Sequence, residues 1–261
     1  MKYFTLLLFL VLVTPVMAQR NSVLTTGRVV DLTHAFDSQS VYWPTAESFK
    51  LETDFEGMTD QGYFYSAYRY SAAEHGGTHL DSPVHFAKGR HTVDAIPLQQ
   101  LMGAAIVIDV TPQCASNADY QVSVADFQNW ERRNGKIAAG TIVLLRTGFG
   151  KRYPDRQTYL GTDELGAQAV AKLHFPGLDP AAARWLTQNR SIKAIGLDTA
   201  SIDYGQSTLF ESHRILFEKN IPAFENVANL DQLPAKGFSV IALPMKIKNG
   251  SGGPLRIVAL L

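Results

Sequence analysis

The sequence predicts an α/β fold, on three observations. Short β-branched runs recur along the chain, helical segments with readable start signals lie between them, and no linker-like Pro/Ser tract or internal repeat divides it. Expected strands are Arg28 to Thr33, Tyr63 to Ala72, Ala104 to Val110, Thr141 to Thr147, Lys193 to Thr199, Phe238 to Pro244 and Leu255 to Leu261. Some alternate and others are continuously apolar, which implies a mixed sheet with both covered and half-exposed strands. Ser123 and Asp126 form a capping-box pattern at the head of "VADFQNWERRN", with Gly135 where a C-terminal cap belongs. Asp179 followed by Pro180 opens "AAARWLTQNR", proline at the first helical position.

Composition narrows the function. The chain has 261 residues, 46% hydrophobic and 18% charged, enough to bury a sizeable core. Lys plus Arg equals Asp plus Glu at 24 each, and no basic block is present that would track a phosphate backbone, so nucleic acid is not an expected partner. "MKYFTLLLFLVLVTPVMAQR" reads as a secretory signal peptide, residues 1–18, cut after Ala18. Its apolar run falls short of the ~20 residues a bilayer span requires. The mature chain, 19–261, is expected to be one domain, exported to a periplasm or outside the cell and free of the membrane. Cys114 stands alone in "TPQCASN", which reads as a turn; an intrachain disulfide is impossible, and nothing beside it looks like an activating base.

The chemistry concentrates in "EHGGTHLDSPVHF", Glu74 to Phe86. Fully extended, His75 and His79 would lie roughly 13 Å apart at ~3.3 Å per residue. A tight bend brings positions i and i+4 to about 5–6 Å, and Gly76-Gly77 permits one. His79 and Asp81, two apart, share a face of an extended segment. The result is a compact nitrogen and oxygen donor set with no thiolate, suited to zinc, manganese or iron. Further along, His213 falls among Leu209, Phe210, Leu216 and Phe217 at helical spacing, and Glu225 sits among apolar neighbours in "PAFENVANL". Buried, each needs a partner; spacing alone leaves a hydrogen bond and a metal equally open. His34, His91 and His174 are read as ordinary surface or core histidines.

"HGGTHLDSPVHF" resembles the HxGTHxDxPxHF signature of the cyclase-like metal-dependent hydrolases, the family of bacterial kynurenine formamidase and isatin hydrolase. Other matching stretches follow in order: "VVDLTH", "VYWP", "HFPGLDPAAARWL", "IGLDTASID", "SHRILFEKNIPAFENVANL" and "PMKIKNGSGGPLRI". The resemblance implies a swivelling β/β/α fold, a barrel-like mixed sheet surrounded by helices, and a homodimer or homotetramer. It implies that His75, His79 and Asp81 hold one metal, Zn or Mn, that Asp81, His213 and Glu225 hold a second where there are two, and that His85 is the general acid/base. The implied activity is metal-assisted hydrolysis of a C–N amide bond in a small substrate, an arylformamide such as N-formylkynurenine or a cyclic amide such as isatin. Trp43 and Phe86 are candidate contacts for a flat aryl substrate; Phe86, like the aromatic run Tyr63, Phe64 and Tyr65, serves either that purpose or core and dimer packing. The signal peptide departs from the formamidases, which act on an intracellular metabolite. Rival readings are an exported metal-binding protein without turnover and a closed structural metal in a binding domain.

Overall fold

The computed structural model describes residues 27–261, so the expected signal peptide lies outside the described residues. Twelve strands run in chain order: β1 (Val29–Asp31), β2 (Lys50–Met58), β3 (Phe64–Ser71), β4 (His79–Asp81), β5 (Met102–Asp109), β6 (Gln121–Val122), β7 (Ile142–Arg146), β8 (Gly177–Leu178), β9 (Ala194–Leu197), β10 (Ala223–Glu225), β11 (Phe238–Pro244) and β12 (Gly252–Leu260). The helices are α1 (Thr111–Ser116), α2 (Val124–Asn134), α3 (Arg156–Leu160), α4 (Ala167–Val170), α5 (Pro180–Asn189) and α6 (Glu211–Phe217).

The main sheet has the order β1-β12-β11-β5-β7-β9-β10-β4, and β4 also pairs with the first half of β12. That pairing closes seven strands into a ring, with β1 beside the second half of β12. β5, β7, β9 and β10 are parallel, while β4, β11 and their partners are antiparallel. Alternation along each strand sorts the side chains. Ala105 and Val107, Ile142 and Leu144, and Val240 and Ala242 pack inside the ring. Ile106 and Ile108, Val143 and Leu145, and Ile195 and Leu197 face outward into a second core under the helices. The fold is thus the barrel-like mixed sheet with surrounding helices that the resemblance implies.

Ser123 caps α2 with the reciprocal Asp126 contact, Gly135 closes it at φ 91°, and Asp179 accepts from Ala181 N and Ala182 N at the head of α5. Two expectations need correction. "TPQCAS" is not a turn but the helix α1, proline near its start, and Cys114 is buried there with its thiol pushed up to about 12 by desolvation. Leu209 is not on a helical face: it is exposed and precedes α6, whose cap, Phe210, takes the left-handed φ of 48°.

Candidate metal centre and active site

β4 and β10 are three residues each, and their register sets the site. Glu225 lies opposite His79, Phe224 opposite Leu80 and Ala223 opposite Asp81. Leu80 and Phe224 point into the barrel core. Alternation therefore turns His79, Asp81 and Glu225 to the outer face, beneath α6, which supplies His213. All four are at most 3% exposed. His75 arrives from the bend before β4, where Gly77 has φ 55°, and the His75 and His79 ring centroids lie 5.5 Å apart. The other edge of β4 faces Gly252, where an added Cβ would stand 2.6 Å from His75 Cε1.

Each imidazole has one nitrogen tied outward and the other aimed at carboxylates. His79 donates Nδ1–H to the Gly77 carbonyl at 3.0 Å. Its Nε2 is buried without a hydrogen-bond partner, 3.1 Å from Asp81 Oδ1 and 3.4 Å from Glu225 Oε2. His213 donates Nδ1–H to Asp203 Oδ2 at 2.6 Å, leaving Nε2 3.2 Å from Asp81 Oδ2 and 3.1 Å from Glu225 Oε1. For His75 the outward partner is Ser251 Oγ, 2.9 Å from Nε2; that hydroxyl donates in turn to Glu74 Oε2 at 2.6 Å. His75 Nδ1 then faces Asp81 Oδ1 at 2.6 Å.

The Ile202 N–H donates to Glu225 Oε1 at 2.7 Å, but three imidazole lone pairs converging on two buried carboxylates still leave an excess of acceptors over donors, costly unless a cation lies among them. Outward hydrogen bonds that fix the tautomer of a ligating histidine are the usual support of such a centre. The donor set, nitrogen and oxygen with no thiolate, fits a divalent ion of the zinc or manganese type. Asp81 Oδ1 and Glu225 Oε2 face His79, with His75 beside Asp81 Oδ1; Asp81 Oδ2 and Glu225 Oε1 face His213. The two carboxylates thus present oxygens to two adjacent sets of ligands.

Electrostatics carry the same signature. Burial alone would lower the His79 imidazole, but the carboxylate of Asp81, 3.1 Å from Nε2, and the charge of Glu225 push it up to about 9. His213 is raised well above its ordinary value, its contacts with Asp203, Asp81 and Glu225 outweighing burial. Although burial would raise it, Asp81 is held well below the usual carboxylate range by His75, His213 and His79; burial and the Asp81 charge raise Glu225. Positive charge is what this cluster draws in.

His85 ends a short 3-10 turn, Pro83–His85, and stands exposed at the mouth, its ring stacked on His75 at 3.8 Å and 18°. Desolvation against the pocket wall pushes its imidazole down to about 4, against the pull of Asp81, so the ring is neutral. The cavity over the centre holds about 260 Å³ and is walled by Tyr42, Trp43, Phe86 and Phe210. Phe86 lies 4.7 Å from the His213 ring and 5.2 Å from Phe210, and Trp43 6.4 Å from Phe210. Tyr63, Phe64 and Tyr65 do not line this cavity; they are exposed on the β2–β3 hairpin. His34 stacks on Tyr153 at 3.8 Å and His174 pairs with Asp119 at 2.8 Å, both outside the centre.

The structure brings together all six of the ligand and acid/base candidates, with Trp43 and Phe86 on the wall above. Sequence reasoning missed the residues that orient them: Asp203, Ser251, Glu74 and the Gly77 carbonyl. It also missed Phe210, whose left-handed backbone, rare for a bulky residue, sits beside the cavity. Asp203 and Ser251 lie inside "IGLDTASID" and "NGSGG", stretches that offered a signal. Ser251→Ala is expected to weaken metal binding about 10–100-fold by freeing the His75 tautomer, read by competition with a chromogenic chelator while far-UV circular dichroism stays unchanged.

Comparison with known proteins agrees with this geometry. The Cyclase family model matches residues 30–204. Isatin hydrolase of Roseibium aggregatum is 31% identical over 245 residues, 86% of this chain and 90% of its own length. Kynurenine formamidase of Polaromonas naphthalenivorans is 26% identical over 233 residues, covering 89% and 91%. The solved structure of isatin hydrolase A from Labrenzia aggregata bound to benzyl benzoate superposes with a TM-score of 0.80 at 33% identity, over 89% of this chain and 93% of that one. With a family match over most of the described residues and a relative above 30% identity along nearly its whole length, the chain belongs to the Cyclase family, among relatives that are hydrolases of small amides.

Proposed function

We propose that this chain is a metal-dependent hydrolase that opens the C–N bond of a small aromatic amide, a cyclic amide of the isatin type before an open arylformamide. One observation carries the reading: three imidazole lone pairs and two carboxylates converge at the floor of a cavity of about 260 Å³ whose walls are aromatic. The cyclic amide is placed first because the similarity to isatin hydrolase, at 31% identity, exceeds that to kynurenine formamidase, at 26%.

His75, His79 and Asp81 would hold one divalent ion, Zn or Mn, and Asp81, His213 and Glu225 a second. When bound, such an ion polarises an amide carbonyl and lowers the pKa of water. The protein supplies the rest. Trp43, Phe86 and Phe210 take the aryl ring and exclude solvent from its faces. His85, neutral and not required as a ligand, accepts a proton on an imidazole nitrogen from the attacking water and returns it to the departing amide nitrogen. Asp203, the Gly77 carbonyl and the Ser251–Glu74 pair keep the three ligating rings in one tautomer throughout. Export completes the proposal: the working protein would begin at Gln19 and act in a periplasm or outside the cell.

The test uses protein recovered from the exported fraction, its first residue read by mass spectrometry, with metal content measured and isatin and N-formylkynurenine hydrolysis followed before and after chelation. Turnover of isatin that chelation removes and added metal restores is the expected result. His85→Ala is expected to lose about 10²–10⁴-fold in kcat while keeping its metal; full turnover in that variant would end the acid/base assignment. Retained metal with neither substrate touched would favour the metal-binding protein without turnover.

A further inference from the structure

Asn226 follows Glu225 directly, is buried and lines the cavity. Its backbone takes a left-handed φ of 52°, a region that asparagine tolerates better than most residues. The main chain is anchored on both sides. Its N–H donates to the Thr199 carbonyl at 2.8 Å, just past β9, and its carbonyl accepts from Thr78 Oγ1 at 2.7 Å, just before β4. One residue thus fastens the end of β10 to both of its neighbours in the sheet.

The side chain continues that anchorage through hydrogen bonds whose directions are all forced. Asn226 Nδ2 lies 2.7 Å from the Gly77 carbonyl, which can only accept, so the amide NH₂ must face it. Asn226 Oδ1 then faces Tyr159 on α3, whose hydroxyl donates to it at 2.6 Å. Burial raises the Tyr159 phenol well above its ordinary value, so that proton stays in place. The Gly77 oxygen has two lone pairs, and His79 Nδ1–H takes the other at 3.0 Å. Tyr159, Asn226, Gly77 and His79 therefore form one continuous chain that ends on the ring.

The three imidazoles are not held alike. His213 leans on the Asp203 carboxylate, and His75 on a Ser251 hydroxyl fixed by Glu74. His79 leans instead on a peptide carbonyl in a Gly-Gly bend, the backbone with the widest choice of conformations. Its Nε2 makes no hydrogen bond that could restrain the ring from the other side. The ring is therefore only as well placed as the carbonyl beneath it, and Asn226 is the side chain that pins that carbonyl. We propose that Asn226 is a positioning residue of the centre: it holds the Gly77 carbonyl so that His79 keeps Nε2 toward Asp81 and Glu225, and it ties that ring to the strand carrying Glu225. The effect on metal affinity rests on the reading of the cluster as a metal centre; the effect on the ring does not.

The experiment follows exchange with water of two ring protons, His79 Nδ1–H and His213 Nδ1–H, by NMR of nitrogen-labelled protein, first metal-free and then with zinc. Wild type, Asn226→Gly and Tyr159→Phe are compared; glycine takes a φ of 52° without strain. In Asn226→Gly the His79 proton should exchange roughly tenfold faster, and zinc affinity, read by chelator competition, should fall about 10–100-fold. The His213 proton, held by Asp203, should not change, nor should circular dichroism. Tyr159→Phe should shift the His79 proton in the same direction by less, and it decides the question should Asn226→Gly fail to fold. A His79 proton equally protected in both variants overturns the proposal. So does equal acceleration of both ring protons, which would make Asn226 a general packing residue, or a faster His79 proton with zinc affinity intact. A chain that takes neither zinc nor manganese yet shows the selective His79 change would overturn the metal reading and support the positioning.

Discussion

Asp81→Asn is expected to abolish metal retention and to lower amide hydrolysis at least ~10³-fold, about 4 kcal/mol of transition-state stabilisation. Asp81 is the side chain on which the centre turns. Its Oδ1 lies 2.6 Å from His75 Nδ1 and 3.1 Å from His79 Nε2, and its Oδ2 lies 3.2 Å from His213 Nε2. Asparagine keeps the volume and one acceptor oxygen, but it removes the negative charge and turns an NH₂ toward a ring nitrogen. If that group replaces Oδ1, it faces His75 and His79 together; if it replaces Oδ2, it faces His213. Either way a ligand set is broken and the cluster loses a charge that no neighbour replaces. β4 remains paired on both edges, so the variant should fold. Metal analysis alongside circular dichroism is the check, and a folded variant that retains metal at the wild-type ratio would remove Asp81 from the centre.

How much of this was legible in the sequence depends on distance along the chain. His79 and Asp81 are two residues apart on one short strand, and the bend that brings in His75 is written in Gly76-Gly77; local rules suffice for those. The partnership of Asp81 with His213 spans 132 residues, and β10, which carries Glu225, is three residues long. No periodicity can be read from three residues, so the assignment of His213 and Glu225 rested on resemblance. β2 was missed for a related reason. "KLETDFEGM" is exposed along almost all its length, and a strand without a buried face lacks the alternation that marks one. The long continuous or alternating strands β5, β7, β11 and β12 were readable because the barrel core and the helix-covered core impose a pattern on each. Asp203 escaped because orienting a histidine leaves no spacing signature: it reaches His213 Nδ1 from a loop ten residues upstream.

Chelation is expected to lower the melting temperature by about 5–10 °C, and to leave Asp81→Asn unmoved. An ion bound to the folded state alone stabilises it by about 2.7 kcal/mol when present at a hundred times its Kd, and each kcal/mol is worth roughly 2–4 °C in a chain of this size. The structure says where that stabilisation is felt. β4 closes the seven-strand ring through three residue pairs to β10 and three to β12, fewer than the five between β5 and β7. The proposed ligands lie across that seam: His79 and Asp81 on β4, Glu225 on β10, His213 on α6 and His75 on the incoming bend. An ion there would tie a short closing strand to β10 and α6, whereas its removal would leave the buried carboxylates of Asp81 and Glu225 without a compensating cation across the same seam. Loss of metal should therefore open the molecule locally before it unfolds globally. Amide exchange measured with and without chelator would show protection falling first in β4, β10 and α6 while β5 and β7 keep theirs; a uniform loss across the barrel would mean that the ion supports the fold as a whole and not its closure.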